Sequence, residues 1–113
     1  KLDPTRRAEV KYDDEQIMQM ITNRTFKAKA PEGFIPSNQF GSFEGSLNAF
    51  NERRATTIRF IKTNKKDLRN LYVDHPFLGT IDSYQMLLFL TGHTLRHTLQ
   101  IEEIKSSSGY LAL

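Results

Sequence analysis

The sequence predicts an all-α fold with two long antiparallel helices, at about residues 42–63 and 82–105, and a short helix near residues 13–24. Three observations support this prediction. Both long stretches lack proline, each begins at a residue that can cap a helix, and apolar residues recur in both at helical spacing. A connector over residues 64–81 joins the two long helices, as expected for an antiparallel helix pair.

The short first helix follows a charged, extended lead-in that ends at Asp13. Asp13 or Asp14 can cap this helix, which ends at about Arg24. Its apolar residues form one stripe along the helix and extend to the side next to it; they are Ile17, Met18, Met20 and Ile21. Three turns are too few for a stable isolated helix, so its stability has to come from packing.

The second helix begins after a connector over residues 25–41 that holds two prolines and two glycines. Ser42 caps the helix, and its inner stripe consists of Leu47, Phe50, Arg54, Ile58 and Ile61. Arg54 stands where an apolar residue is expected, and its guanidinium group stays charged, so it needs a partner. Either a salt bridge between helices or extension into solvent would satisfy it. The functional alternative is an anion-binding group near a metal.

The connector between the long helices holds one histidine, His75, directly before Pro76. Proline disfavours helical geometry at the preceding residue, which places His75 in an extended loop that leads to Gly79. We interpret His75 as a hydrogen-bonding brace for this turn. Metal ligation is the alternative.

The final helix is the most informative part of the sequence. Asp82 and Gln85 form a capping-box-like start, and steps of four and three select one stripe: Met86, Leu90, His93, His97, Gln100 and Ile104. His93 and His97 are one turn apart, so both imidazoles can face a single metal ion. We expect both to be largely buried, with Gln100 on the same side to hold a ligand or a bound water. The alternative is a pair of buried, hydrogen-bonded histidines without a metal.

The last thirty residues also carry a resemblance to a known family. The run HPFLGTIDSYQMLLFLTGHTLRHTLQIEEIK resembles the final helix, and the loop leading into it, of the DinB-like (DinB/YfiT) superfamily of metalloenzymes. The FxxxR motif from Phe50 to Arg54 and the connector PEGFIPSNQFGS resemble its small bacterial members. The resemblance implies a four-helix bundle in which His93 and His97 are two of three metal ligands. A third histidine comes from an earlier helix.

The resemblance also indicates a function. Three imidazoles leave coordination positions open for water or substrate, and the ligand type suits zinc, nickel or iron without choosing among them. Some members of the superfamily are thiol-dependent transferases or isomerases, which implies a small-molecule substrate such as a low-molecular-weight thiol. No catalytic residue is assigned. The alternative is a non-catalytic helical interaction module in which the histidines and Gln100 form a buried polar network.

Composition restricts the partners. The chain has no cysteine, which excludes disulfides and thiolate ligands and is compatible with the cytoplasmic location that we expect. No apolar stretch reaches the length of a membrane span. The net charge is +3, with basic residues gathered between Arg53 and Arg69, but no nucleic-acid-binding motif accompanies them. We interpret them as a solvated face and expect neither a membrane nor a nucleic-acid partner.

The resemblance finally implies that residues 1–113 are a single domain that forms the C-terminal portion of such a bundle and lacks its first two helices. Two long helices would leave two apolar seams in water. We therefore expect a homodimer or association with the missing N-terminal half. In a homodimer, a two-fold axis would place His93 and His97 opposite the same residues of the other copy. Within one chain, His75 is the only alternative third ligand.

Overall fold

The computed structural model describes residues 1–110. The helices and strands are α1 (Asp14–Thr22), α2 (Phe43–Thr63), β1 (Tyr72–His75), β2 (Gly79–Asp82) and α3 (Ser83–Lys105), with short 3-10 helices at Pro4–Glu9, Glu32–Phe34 and Leu68–Asn70. The chain forms two compact units. The first unit contains residues 1–27 and the chain from residue 67 onward, and the second contains residues 28–66.

The prediction of an all-α fold is wrong, because β1 and β2 form a two-stranded antiparallel sheet. The fold is mixed α/β. Tyr72 pairs with Asp82 and His75 pairs with Gly79, so residues 76–78 form the connecting loop. Gly79 has φ of 69°, a left-handed conformation that glycine adopts without steric cost and that short hairpin loops often use. The predicted connector over residues 64–81 therefore contains a hairpin.

Helix α1 packs against α3 through a close approach at Gly92. Asp13 and Gln16 form a capping box at the start of α1. At its other end, Arg96 of α3 donates hydrogen bonds to the carbonyl oxygens of Ile21 and Asn23, which the last turn of a helix leaves without partners. A side chain at Gly92 would overlap Ile21, so glycine permits this approach.

The hydrophobic core of the first unit is small and lies between α1, the hairpin and the start of α3. Its buried residues are Ile17, Leu78 and Ile81. Three partly buried residues pack around them, namely Tyr12, Met86 and Phe89. The core thus joins one residue from α1, one from the hairpin loop and one from β2, which fixes the hairpin against the base of α3.

A buried carboxylate ties the N-terminal segment to this core. Asp82 is fully buried and accepts hydrogen bonds from Arg7 at 2.8 Å, from Arg69 at 3.2 Å and from the backbone N–H of Gln85 at 2.7 Å. Arg69 also binds Asp14 at 2.6 Å and holds the pKa of that carboxyl group below its usual value. The lead-in before Asp13 is therefore partly a 3-10 helix anchored by ion pairs, in contrast to the extended segment predicted from the sequence.

The second unit contains α2, which begins as predicted after Ser42. The Ser42 hydroxyl accepts a hydrogen bond from the backbone N–H of Gly45 at 3.0 Å. No residue of α2 is buried, and its apolar side chains Leu47, Phe50, Ile58 and Ile61 are exposed. The antiparallel arrangement of α2 and α3 stays a prediction, as does the single domain over residues 1–113.

Candidate metal centre

His93 and His97 lie on consecutive turns of α3 and face each other. Their Nε2 atoms are 3.0 Å apart, and their ring centroids are separated by 4.6 Å. The interplanar angle of 70° directs the edge of one ring at the other. The prediction that both imidazoles face a common point is confirmed, because residues four apart on a helix project from the same side.

Gln100 lies on the same side, as predicted, and determines which nitrogen of His97 carries the proton. Its Oε1 atom is 2.9 Å from Nδ1 of His97. An amide oxygen only accepts hydrogen bonds, so Nδ1 is the donor and carries the hydrogen in the neutral ring. The lone pair of His97 is therefore on Nε2, where it accepts a hydrogen bond from the Nε2–H group of His93. This tautomer of His97 can bind a metal through Nε2, and a metal ion would displace the Nε2 proton of His93.

The prediction that His93 and His97 are largely buried is wrong, since both are exposed. The physical reason is the orientation of α3. Its buried residue Gly92 contacts α1, and the next residue, His93, projects about 100° around the helix from that contact. The polar network of His93, His97 and Gln100 exists, but it lies at the surface and not in a buried position as the alternative function required.

The environment of His93 favours its neutral form. Although the side chain as a whole is exposed, the residues around its ring remove part of the water shell, and this desolvation holds the pKa of His93 below its usual value. Electrostatic repulsion of the protonated form, from the side of His97 and Arg96, lowers the pKa further. Because only the neutral imidazole has a lone pair to offer, this shift favours metal binding near neutral pH.

His75 acts as the predicted brace of the hairpin turn. Its Nδ1 atom accepts hydrogen bonds from the backbone N–H groups of Phe77 at 3.1 Å and Leu78 at 3.3 Å. In the neutral ring, Nε2 then carries the hydrogen, so neither nitrogen offers a free lone pair. Burial lowers the pKa of His75, which maintains this neutral form. His75 is thus unsuited to be the third ligand in this arrangement.

Phe89 is a site residue that the sequence did not single out. Its ring contacts His75, at a centroid distance of 4.4 Å, and His93, at 5.5 Å. The sequence feature that could have indicated this contact is the spacing, because Phe89 precedes His93 by one helical turn. Phe89 therefore contacts the His93 ring from the preceding turn of α3 and, through His75, links the candidate centre to the hairpin.

Arg54 belongs to the second unit. It is partly buried on α2, with its guanidinium carbon 5.2 Å from the centroid of the Phe50 ring. This distance is typical of a cation–π contact. An anion-binding role for Arg54 near the metal stays a prediction.

The hydrogen bond between the two histidines sets a spacing that can be compared with the geometry of a divalent ion. At a metal–nitrogen distance of about 2.1 Å, two nitrogens 3.0 Å apart subtend about 90° at the metal, whereas a tetrahedral ion needs about 3.4 Å between them. The observed separation therefore matches neighbouring positions of a six-coordinate ion, and a tetrahedral ion requires a small opening of the pair. Among residues 1–110, no group of three His, Cys, Asp or Glu side chains is placed to hold a metal.

Comparison of the chain with models of protein families, with curated proteins and with solved structures finds no match. The resemblance to the DinB-like superfamily therefore stays a prediction. Within the part of the chain that the structure describes, no helix has the length and apolar character needed to cross a membrane.

Proposed function

We propose that this chain binds a divalent metal ion through His93 and His97 and acts as a DinB-like, metal-dependent enzyme on a small-molecule substrate. The observation that supports the proposal is the placement of the two Nε2 atoms 3.0 Å apart, where a metal ion would replace the proton that His93 donates to His97. The contact from Gln100 keeps the His97 lone pair on Nε2. Zinc, nickel and iron all accept imidazole ligands.

The residues around the two histidines have distinct structural roles. Gln100 fixes the tautomer and orientation of His97, and Phe89 limits the rotation of His93 by contact with its ring. The exposure of both histidines gives a substrate direct access. The chemistry supplied by a divalent ion held there is Lewis acidity, which lowers the pKa of a coordinated thiol or water. A low-molecular-weight thiol is therefore the substrate class that we favour.

Metal titration by calorimetry tests the proposal, with untagged protein and Zn²⁺, Ni²⁺ or Fe²⁺. The wild type should bind, and His93→Ala or His97→Ala should lower the affinity by at least 100-fold, because each removes one of the two ligands. Helicity measured by circular dichroism should stay nearly unchanged, since both side chains are exposed.

His75→Ala is the matched control, because it removes an imidazole that is already engaged by the hairpin backbone. It should retain wild-type metal affinity. Equal metal uptake by the wild type and a His93→Ala, His97→Ala double variant would show that the pair is not a metal site.

A further inference from the structure

We propose that a second copy of this chain completes the metal centre, so that His93 and His97 of two copies bind one ion on a two-fold axis. This inference rests on the proposed metal binding. It adds the source of the remaining ligands and makes dimer formation dependent on the metal.

The number of metal ligands that one chain supplies supports a second copy. One chain presents two imidazole nitrogens at the centre, and residues 1–110 place no third metal-binding side chain beside them. His75 is engaged by the backbone of its own turn. A two-fold axis beside α3 would bring two further imidazoles of the same geometry. Because each pair subtends about 90°, four imidazoles would leave two positions of a six-coordinate ion open to substrate.

The surface around the histidines suits close approach of an identical surface. The side of α3 that projects with His93 and His97 carries no formally charged residue between Ser83 and Ile104. Met86 on this side packs against the core. The other members are Leu90, Thr94, Gln100, Ile101 and Ile104. Ile101 and Ile104 are 55% and 51% exposed. Two copies could therefore meet here without burial of an unpaired charge, and the isoleucines would leave water.

The nearby charged residues of α3 are engaged elsewhere. Glu103 accepts two hydrogen bonds from Arg24, at 3.0 and 3.1 Å. Arg96 donates to the backbone carbonyl oxygens of Ile21, Asn23 and Phe26. These contacts hold both side chains towards the N-terminal part of the chain and leave the histidine side uncharged.

The size of this surface indicates that the metal is needed. A helix of 23 residues is about 35 Å long and about 10 Å wide, so one side of α3 offers at most about 350 Å², and its start is already covered by the core. Stable interfaces bury about 800 Å² on each partner. Contact between two α3 helices alone is therefore too small, and the shared ion would supply the remaining affinity.

Sedimentation equilibrium of the untagged protein tests this inference, with Ni²⁺ or Zn²⁺ and with a chelator. The mass should double from 13.1 kDa when about half an equivalent of metal is added, and the chelator should reverse the change. His93→Ala and His97→Ala should stay monomeric with metal, whereas His75→Ala should still dimerise.

A further variant separates the two proposals. Ile101→Glu places a charge on the exposed surface of α3 without loss of a ligand, and it should weaken metal-dependent dimerisation at least tenfold while each chain still binds metal. A wild-type monomer that binds one equivalent of metal would overturn the shared centre and leave the metal site standing. A dimer that persists with the chelator and in His97→Ala would also overturn it. Absence of metal binding would overturn both proposals.

Discussion

Gln100 should control the metal affinity of the centre although it need not touch the metal. Its Oε1 atom lies 2.9 Å from Nδ1 of His97 and holds the ring in the tautomer with the lone pair on Nε2. In Gln100→Ala the Nδ1–H loses its acceptor, so the ring can rotate and exchange tautomers. Loss of such an indirect contact lowers metal affinity by about 10- to 100-fold, or about 1.4 to 2.8 kcal/mol.

The assay is calorimetric titration with Ni²⁺ on three proteins at one concentration. Gln100→Glu keeps an acceptor and makes it anionic, which strengthens the hydrogen bond to Nδ1. It should therefore bind at least as tightly as the wild type, while Gln100→Ala binds more weakly. Without metal, the free energy of unfolding should change by less than about 0.5 kcal/mol in both variants, since the contact is at the surface. Unchanged affinity in Gln100→Ala would refute the assignment of the His97 tautomer.

Three further predictions concern the framework of the first unit. Asp82→Ala should lower the free energy of unfolding by about 3 to 5 kcal/mol in urea denaturation, because it leaves two arginines and a helix start without their buried acceptor. Asp74→Ala, at a carboxylate that is 72% exposed, should cost less than about 1 kcal/mol, and equal losses would contradict this contrast. Gly92→Ala should lower the melting temperature, because overlap with the stiff Ile21 side chain costs about 1 to 3 kcal/mol and outweighs a helix-propensity gain of about 1 kcal/mol; a higher melting temperature would show that the helices can separate freely. Burial lowers the pKa of His75, so the unfolded chain takes up this proton more readily, and the contribution of His75 to stability should be complete above about pH 6.5 and decline below it. Unfolding measured from pH 8 to pH 5 should show a shallower decline in His75→Gln, and identical profiles would exclude this contribution.

Local chemistry made the helices predictable. Asp82 and Gln85 form the capping box that their spacing indicated, and α3 begins at Ser83, the residue directly after Asp82. The mutual orientation of His93 and His97 was equally predictable, because the α-helix fixes the relation of residues four apart. These features depend on neighbouring residues alone.

The hairpin and the exposure of the histidines depend on more distant residues. Each strand has only four residues, too few for an alternation of apolar and polar residues to stand out, and Pro76 suggested a break in regular structure. Helical periodicity showed that His93 shares a side of α3 with apolar residues. It could not show that α1 covers a different side, which Gly92 marks by its close contact.

The ion pairs of the first unit have a consequence for how the chain folds. Arg6 and Asp74 are 68 positions apart, Arg7 and Asp82 are 75 apart, and Arg24 and Glu103 are 79 apart. None of these contacts can form until the intervening chain, including residues 28–66, has closed into a loop. Contacts of such long range slow the search for the native state, so this small, mostly helical chain should fold more slowly than a helical bundle of equal length. Closure entropy changes only with the logarithm of loop length, and a doubling of the middle segment would lengthen these loops about 1.5-fold and cost about 0.4 kcal/mol. Insertions between Lys27 and Asp67 should therefore delay folding only slightly and leave the paired ends of the chain intact.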